Sequence, residues 1–379
     1  MGKSNFYARR KGSLRRTVLL CGALSFLLTA CTGRNPSQEE EPLVLPDSLK
    51  LTAELPGEYP DQAKTYTVDW LEVEEETAVQ ALFKGETREW TQWAVGRQLL
   101  SEDEEVCESL LIYDGVVEGG LSYSYETKDF SYVGVASYYP GYPDTMEQLN
   151  GYYGYHDMQD YATEGDLSFK GQSEASEEIE ELLYACGFPQ LQLQQAYLLD
   201  AKTMNEHLAL YNEYRTQIQE SREEYEFTQE DECYLFHHRQ VLDGIPFANL
   251  IWTKGTRDMS TETVMYSLYG KDGILKIDAR QFYEIQEPLS ADAVISPEEA
   301  VAAYVEECTK ALQFEETEIF AVELNYIVVY DAGAMYAKPA WILSSKRKTQ
   351  YEEATVDEYG VTAVSAVTGV LIQNETDLR

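Results

Sequence analysis

The first thirty residues decide which part of this chain can fold as a globular protein. Residues 1–16 carry six cationic side chains and no acidic one, and an apolar run of 12 residues follows from Thr17 to Leu28. This is the charge and hydropathy pattern of a secretory signal. As a helix, such a run spans only about 18 Å, whereas the apolar core of a bilayer is roughly 30 Å thick. We therefore expect residues 1–30 to be a signal peptide, which is removed, and not a membrane-spanning helix.

A cysteine follows this apolar run at once. The tetrad Leu28-Thr29-Ala30-Cys31 resembles the lipobox of bacterial lipoproteins, which is a leucine, two small residues and the cysteine that receives a diacylglycerol thioether. The resemblance implies that Cys31 is the lipid attachment site and that acyl chains such as palmitate hold the mature protein on the outer face of the bacterial cell membrane. Two acyl chains give stable anchoring where one would be marginal. The alternative is an ordinary signal peptide in which Cys31 plays no part.

The charge of the chain excludes some partners. It contains 29 Lys and Arg against 67 Asp and Glu residues, which gives a formal charge of −38, and loss of the cationic leader makes the mature chain more acidic still. Such a surface repels nucleic acid and anionic lipid, so we expect neither as a partner. An apolar content of 44% predicts a folded chain rather than a disordered one.

The length and the local patterns predict several α+β units. Residues 31–60 are rich in Pro, Glu, Ser and Gly and are interpreted as a flexible tether. Three units are expected after it: an N-terminal α+β unit with a tyrosine-rich loop (61–170), a middle unit (171–290) and a C-terminal unit (291–379). In each, a helix precedes β-rich segments, which predicts repeated units of a capped helix packed on a curved antiparallel sheet.

Local signals mark helix starts and turns. Ser296-Pro297-Glu298-Glu299 forms a complete capping box, and Ser173 or Ser176 is expected to cap the helix of the middle unit. Asp243-Gly244 and Asp272-Gly273 lie between β-rich runs and predict hairpins. The pair Gly119-Gly120 is interpreted as another turn.

The most unusual composition lies between Tyr123 and Tyr161, where ten tyrosines are interspersed with glycine and proline. Tyrosines on such a loop provide flat, amphipathic area with little rotamer entropy to lose, which suits contacts with sugars or protein partners. The alternative is that these rings cover the edge of the sheet and are buried there. The candidate binding residues are Tyr138, Tyr139, Tyr142, Tyr152, Tyr153 and Tyr155.

A second resemblance concerns the C-terminal part, roughly residues 232–372. The segments that carry it are Ile295-Ser296-Pro297-Glu298-Glu299-Ala300, Leu324-Asn325-Tyr326, Lys338-Pro339-Ala340-Trp341 and Val364–Leu371 with Thr368-Gly369. They resemble extracytoplasmic PepSY-like modules and the extracellular regulators of the Firmicute cell-wall-sensing histidine kinase. The resemblance implies a capped helix on a curved sheet, a proline-aromatic strand in mid-sheet and a closing Thr-Gly hairpin. Those regulators use a transmembrane helix, whereas this chain has a lipobox. The whole chain is also similar to uncharacterised clostridial lipoproteins.

Motifs for catalysis are missing from the sequence. It has no Gly-x-Ser-x-Gly elbow, no His-Glu-x-x-His and no phosphate-binding glycine loop. Cys233 and His237 could share a face of a strand, but two ligands do not make a zinc site, so we expect no metal and no cofactor. The cysteines beyond the anchor are widely spaced, and buried thiols are the expectation for them. They are Cys107, Cys186, Cys233 and Cys308.

Together these observations predict a non-enzymatic, membrane-anchored extracellular lipoprotein that acts as a protein-binding or sensor-regulatory module, with an envelope protein as partner. The alternative is a cell-surface lipoprotein that binds cell-wall glycan through the tyrosine-rich loop. An extracellular hydrolase would need converging carboxylates, or a nucleophile beside a base.

Overall fold

The structure is a computed structural model. It describes residues 43–84, 89–102, 106–127, 160–217, 219, 226–248, 264–310, 316–331, 333–351 and 354–372. The chain divides into two compact units, Met1–Pro42 and Leu43–Arg379, and the described residues all belong to the second. None of the helices in these ranges is long and apolar enough to cross a membrane.

The described fold is mixed α+β and consists mostly of sheet. The helices are α1 (Glu75–Leu82), α2 (Gln172–Ala185), α3 (Ala201–Gln217) and α4 (Pro297–Lys310). The first eight strands are β1 (Leu49–Leu51), β2 (Gln62–Trp70), β3 (Thr91–Gln92), β4 (Arg97–Glu102), β5 (Val106–Asp114), β6 (Glu118–Thr127), β7 (Leu191–Leu199) and β8 (Cys233–Leu242). The others are β9 (Ile245–Pro246), β10 (Val264–Gly270), β11 (Gly273–Arg280), β12 (Tyr283–Ala293), β13 (Thr317–Asp331), β14 (Ala334–Tyr351), β15 (Ala354–Ser365) and β16 (Leu371–Ile372).

The first sheet has seven strands in the described part of the chain and is built on the long strands β13 and β14. Its main order is β1-β13-β14-β15-β16, with β2 pairing both β14 and β12. All its pairings are antiparallel except that of β1 with β13. One edge of β14 pairs with β2 over Met335–Ala337 and with β15 from Ala340 onward. Pro339, which has no N–H to donate, lies where the partner changes, and this explains a proline within a central strand.

The second sheet has nine strands, again counted over the described ranges. Its order is β3-β4-β5-β6-β11-β10-β8-β7, with β9 paired to β8, and every pairing is antiparallel. The pairing of β6 with β11 joins residues of the predicted N-terminal and middle units, and β2 joins β12 and β14 in the other sheet. Each sheet is therefore shared between predicted units, whose boundaries stay predictions.

Each sheet has its own hydrophobic core. Helices α1 and α2 bury Ala78, Leu82, Ile179 and Leu183 against the second sheet, and Phe282 lies in the same cluster. Helix α4 contributes to the core of the first sheet, whose fully buried members include Ala300, Val301, Tyr326, Trp341 and Val364. In α3, Met204 and Leu208 are buried, as the helical spacing predicts.

The expected turns and caps are confirmed in part. Asp243 and Gly244 both have positive φ between β8 and β9, and the capping box of α4 forms, with Ser296 N donating to Glu299 Oε2 (2.7 Å) and Glu299 N to Ser296 Oγ (3.1 Å). The predicted serine cap of the middle unit is wrong. Its helix α2 already begins at Gln172, whose N–H donates to Asp166 Oδ1 at 2.8 Å, so an aspartate from the preceding loop takes the role of the cap.

The interpretation of Gly119-Gly120 as a turn is also wrong, because both residues lie within β6. A Cβ atom at Gly120 would come within 2.0 Å of the carbonyl oxygen of Ala279 on the neighbouring strand β11. The glycine pair therefore permits close approach of two backbones, and the reversal of the chain occurs earlier, between β5 and β6, at residues 115–117.

Candidate functional site

The residues predicted to bind a ligand or carry the lipid lie outside the described part of the chain. This holds for the attachment site Cys31 and for all six candidate tyrosines, Tyr138, Tyr139, Tyr142, Tyr152, Tyr153 and Tyr155. The tyrosine-rich loop and the lipid anchor therefore remain predictions.

The described cysteines and histidines are mostly buried. Cys233 and His237 do lie on one face of β8, and both side chains are buried. Burial and the neighbouring His238 lower the pKa of His237 to about 3, so its imidazole is neutral. Burial raises the pKa of the Cys186 thiol to about 11. No three His, Cys, Asp or Glu residues of the described ranges are grouped so as to hold a metal ion.

The expectation of buried thiols is confirmed for Cys186 and Cys233. Cys308 is half-buried, and Cys107 is exposed, so the expectation is wrong for Cys107. Cys107 is the second residue of β5, and the residues buried in this strand are Glu108, Leu110 and Ile112. Side chains of a strand alternate between its two faces, so Cys107 lies on the face opposite these buried residues.

A hydrogen-bonded group forms between helix α2 and strand β8. It consists of Ser176 and Glu180 from the helix and His238 from the strand. Ser176 Oγ lies 3.0 Å from His238 Nε2, and Glu180 Oε1 lies 3.3 Å from the same nitrogen. A catalytic relay needs the serine and the carboxylate on opposite ring nitrogens, because the carboxylate must orient the base that accepts the serine proton. Here both partners share Nε2, and the serine is buried in α2. The trio is therefore a structural hydrogen-bonded group rather than an activated nucleophile.

A row of ionisable side chains crosses the other face of the second sheet. It consists of Tyr113 (β5), Asp278 and Arg280 (β11), Tyr266 (β10) and His237 (β8), and we call it the polar row. Tyr266 pairs with Asp278 on one side and with His237 on the other. The Tyr113 hydroxyl donates to Asp278 Oδ1 at 3.1 Å, and Arg280 Nε lies 3.8 Å from the same oxygen.

The polar row combines the Arg280 guanidinium with groups whose pKa values are shifted by burial. Burial raises the pKa of Asp278, although Arg280 and the Tyr113 hydroxyl act in the opposite direction. Burial, aided by the charge of Asp278, also raises the pKa of both Tyr113 and Tyr266. Buried or half-buried side chains that have shifted pKa values and lie next to one another mark a candidate site for binding a hydrogen-bonding ligand. The alternation of Lys276, Asp278 and Arg280 with Ile277 and Ala279 signals this face in the sequence, but only the sheet order brings the other members to it.

The segments quoted for the PepSY-like resemblance meet around one tryptophan. The indole Nε1 of Trp341 donates to the carbonyl oxygen of Ile295 (3.0 Å), and Ile295 N donates to Ala366 O (2.8 Å). Ser296, the next residue, caps α4. At the closing turn, Gly369 has φ +69° and its N–H donates to Ser365 O (2.9 Å). We call this arrangement the Trp341 interlock, and it joins a capped helix, a proline-aromatic strand and a Thr-Gly hairpin in one packed unit.

Comparisons with known proteins give a likeness of fold alone. No family model matches the chain, and no curated protein matches it. The chain is similar to a solved structure of an uncharacterized protein from Eubacterium rectale ATCC 33656, with a TM-score of 0.59 and 16% sequence identity over 87% of this chain and 92% of that one. At this identity the likeness supports the α+β architecture of two antiparallel sheets and carries no statement about activity.

Proposed function

We propose that this protein is a non-enzymatic lipoprotein of the outer face of the bacterial cell membrane, anchored through Cys31, that binds or regulates another envelope protein. The anchor rests on the leader, the apolar run and the lipobox-like tetrad that ends at Cys31. A relationship to PepSY-like modules, to the extracellular regulators of the cell-wall-sensing histidine kinase and to clostridial lipoproteins belongs to the same proposal.

The observation that carries the proposal is the Trp341 interlock. The sequence segments that suggest the PepSY-like relationship all lie within residues 295–371, and hydrogen bonds of Ile295 join it to Trp341 and Ala366. The packing of these segments into one unit is what the resemblance leads us to expect. The resemblance to extracellular regulators of a histidine kinase favours a binding or regulatory role.

The finer description of the fold is part of this proposal too. We infer that the chain is built from repeated helix-then-sheet units, because α1, α2 and α4 each precede antiparallel strands. Of these helices only α4 has its reciprocal capping box among the described residues; α1 begins without a side-chain cap, and at α2 the side chain of Asp166, from the preceding loop, accepts from the N–H of Gln172. Repetition of the helix-then-sheet order, without repetition of the cap, is what supports the idea.

The test is capture of the partner from living cells. Cells that express the tagged full-length chain are treated with a membrane-impermeant lysine-directed crosslinker, and the captured proteins are identified by mass spectrometry. The proposal expects enrichment of one envelope protein over cells expressing an unrelated tagged lipoprotein. If no envelope protein is enriched, the binding role is wrong.

The alternative function is binding of cell-wall glycan by the tyrosine-rich loop, and it is motivated by the composition of that loop. Its test replaces Tyr139, Tyr142, Tyr152 and Tyr153 by alanine in the full chain and measures co-sedimentation with purified cell wall. A loss of binding supports the alternative. Unchanged binding contradicts it.

A further inference from the structure

Two neighbouring turns of the second sheet present apolar side chains to solvent. The side chain of Trp93, in the β3–β4 turn, is 55% exposed, and that of Val116, in the β5–β6 turn, is 65% exposed. The backbone joins the two turns, because Val116 N donates to the carbonyl oxygen of Ala94 at 2.9 Å. We call Trp93, Ala94 and Val116 the aromatic tip. Most large apolar side chains of the described residues are buried, and Trp93 and Val116 are two exposed ones that lie on turns joined by a backbone hydrogen bond.

The aromatic tip is held rigidly. Trp93 N donates to Gly96 O at 2.8 Å, and Gly115 N donates to Val117 O at 3.1 Å. A Cβ atom at Gly115 would come within 2.1 Å of Ala94 O, so glycine is needed for the two turns to lie this close. A rigid apolar knob loses little conformational entropy when it is buried by a partner.

An ion-paired support lies beneath the tip. The guanidinium of Arg97 forms ion pairs with Glu75 and Asp114 and lies over the ring of Trp90, 5.8 Å from its centroid. This arginine is therefore already neutralised. The base of the β5–β6 turn keeps a surplus of negative charge, since Asp114 pairs directly with exposed Glu118 across the ladder.

We propose that the aromatic tip is the part of this protein that inserts into its partner, and that the partner is an envelope protein offering an apolar pocket edged by basic side chains. This inference rests on the proposed protein-binding function. A tryptophan with an adjacent aliphatic side chain, ringed by polar groups, matches the composition of interface hot spots. The acidic side chains near the tip and the formal charge of −38 favour a partner whose pocket is edged by basic side chains. They disfavour anionic lipid and polyanionic glycan as the partner.

The experiment places the photo-crosslinker benzoylphenylalanine at residue 93 of the full-length chain in living cells. Matched controls carry it at Tyr184 or Tyr330, which are also exposed aromatic residues (72% and 50%) but lie on other elements. We expect a discrete adduct with one envelope protein from position 93 and none from position 184 or 330. With that protein purified, Trp93→Ala should raise Kd at least about 10-fold, Val116→Ser should raise it less, and Tyr184→Ala should leave it within about 2-fold. Added salt should weaken binding, because the rims carry opposite charge.

The outcomes separate the two proposals. If the lysine-directed crosslinker captures an envelope protein but position 93 gives no adduct with it, or a control position does, the aromatic tip is not the contact and the protein-binding function stands. An adduct of position 93 with glycan or lipid overturns the class of partner. If neither method captures a protein, both proposals fail. Because residue 93 is exposed, a Trp93→Ala chain that melts like the wild type shows that a loss of binding is not a loss of folding.

Discussion

At the scale of single residues, the clearest link between the two sheets is Gln240. Its side chain is fully buried on β8, where Nε2 donates to the carbonyl oxygen of Tyr283 (2.9 Å) and Oε1 accepts from Tyr283 N (3.1 Å). The amide thus pairs with the first residue of β12 as a neighbouring strand would. A strand of one sheet is thereby held to a strand of the other.

Replacing Gln240 by leucine should therefore be costly. Both backbone groups of Tyr283 would lose their partner away from water, which lowers the free energy of unfolding by about 2–4 kcal/mol. Denaturant unfolding of the full chain measures this. Gln286→Leu, on the exposed side of β12, is the matched control and should stay within about 0.5 kcal/mol. Equal losses for the two variants would show that the Gln240 amide does not stabilise the fold.

The polar row predicts opposite effects of pH on two variants. The folded state holds His237 neutral, with its pKa lowered from 6.5 to about 3, so stability from this group is lost as pH falls below 6.5. The pKa of Asp278 is raised above its ordinary value of 3.8, so above that pH the folded state keeps a proton that the unfolded state releases. The stability contributed by this group is therefore lost as pH rises from 3.8 through the raised pKa.

Below pH 6.5 the stability of His237→Gln relative to wild type should thus increase toward acid, and above about pH 4 that of Asp278→Asn relative to wild type should increase as pH rises. Each slope is at most about 1.4 kcal/mol per pH unit for one proton. Thermal unfolding across these pH ranges measures both. Parallel profiles for the two variants and the wild type would contradict the pKa shifts that burial imposes on His237 and Asp278.

At the scale of elements, two serines near helix starts separate a real cap from an apparent one. Ser296→Ala removes the hydroxyl that accepts from Glu299 N and should lower the free energy of unfolding by about 1 kcal/mol. Ser173→Ala, in the exposed first turn of α2, should change it by less than about 0.5 kcal/mol. Urea unfolding of both variants measures these changes. A larger loss of unfolding free energy for Ser173→Ala than for Ser296→Ala would show that Ser173 caps α2, as the sequence predicts.

These serines also show where local sequence suffices. The capping box at Ser296 and the Asp243-Gly244 turn could be predicted because their chemistry lies within four residues. The cap of α2 could not be predicted from the local sequence around Ser176. It comes from Asp166, which precedes the helix by six residues in an irregular loop. Gly119-Gly120 resembles a turn, yet the close approach of Ala279 requires glycine there, and Ala279 lies about 160 residues further along the chain.

The same limit applies to the candidate sites. The members of the polar row come from four strands, and their meeting depends on the pairing of β6 with β11 and of β10 with β8, which no local pattern encodes. For the aromatic tip, the sequence signals Trp93 and Val116 as apolar residues near turn glycines. That the two turns are neighbours follows only from the ladder of β4 with β5.

At the scale of the whole molecule, the proposed function requires a lipid anchor at Cys31. Cells fed an alkyne-tagged fatty acid should label the full-length chain, and Cys31→Ser should abolish the label and release the protein from the membrane fraction. Two acyl chains would give the wild type stable retention in the membrane fraction. The matched control is Cys107→Ser, which changes an exposed cysteine in the folded part and should leave the label unchanged. An unlabelled wild-type chain would make the anchor wrong.

The protein-binding role is tested most directly by quantitative capture from surface-crosslinked cells. The tagged wild-type chain is compared with Trp93→Ala, which removes the exposed indole of the aromatic tip, and with Tyr184→Ala as an exposed aromatic control. One envelope protein should be enriched with the wild type and with Tyr184→Ala, and its enrichment should fall with Trp93→Ala. Enrichment of no envelope protein by the wild type, although the chain is present at the surface, would contradict the protein-binding role.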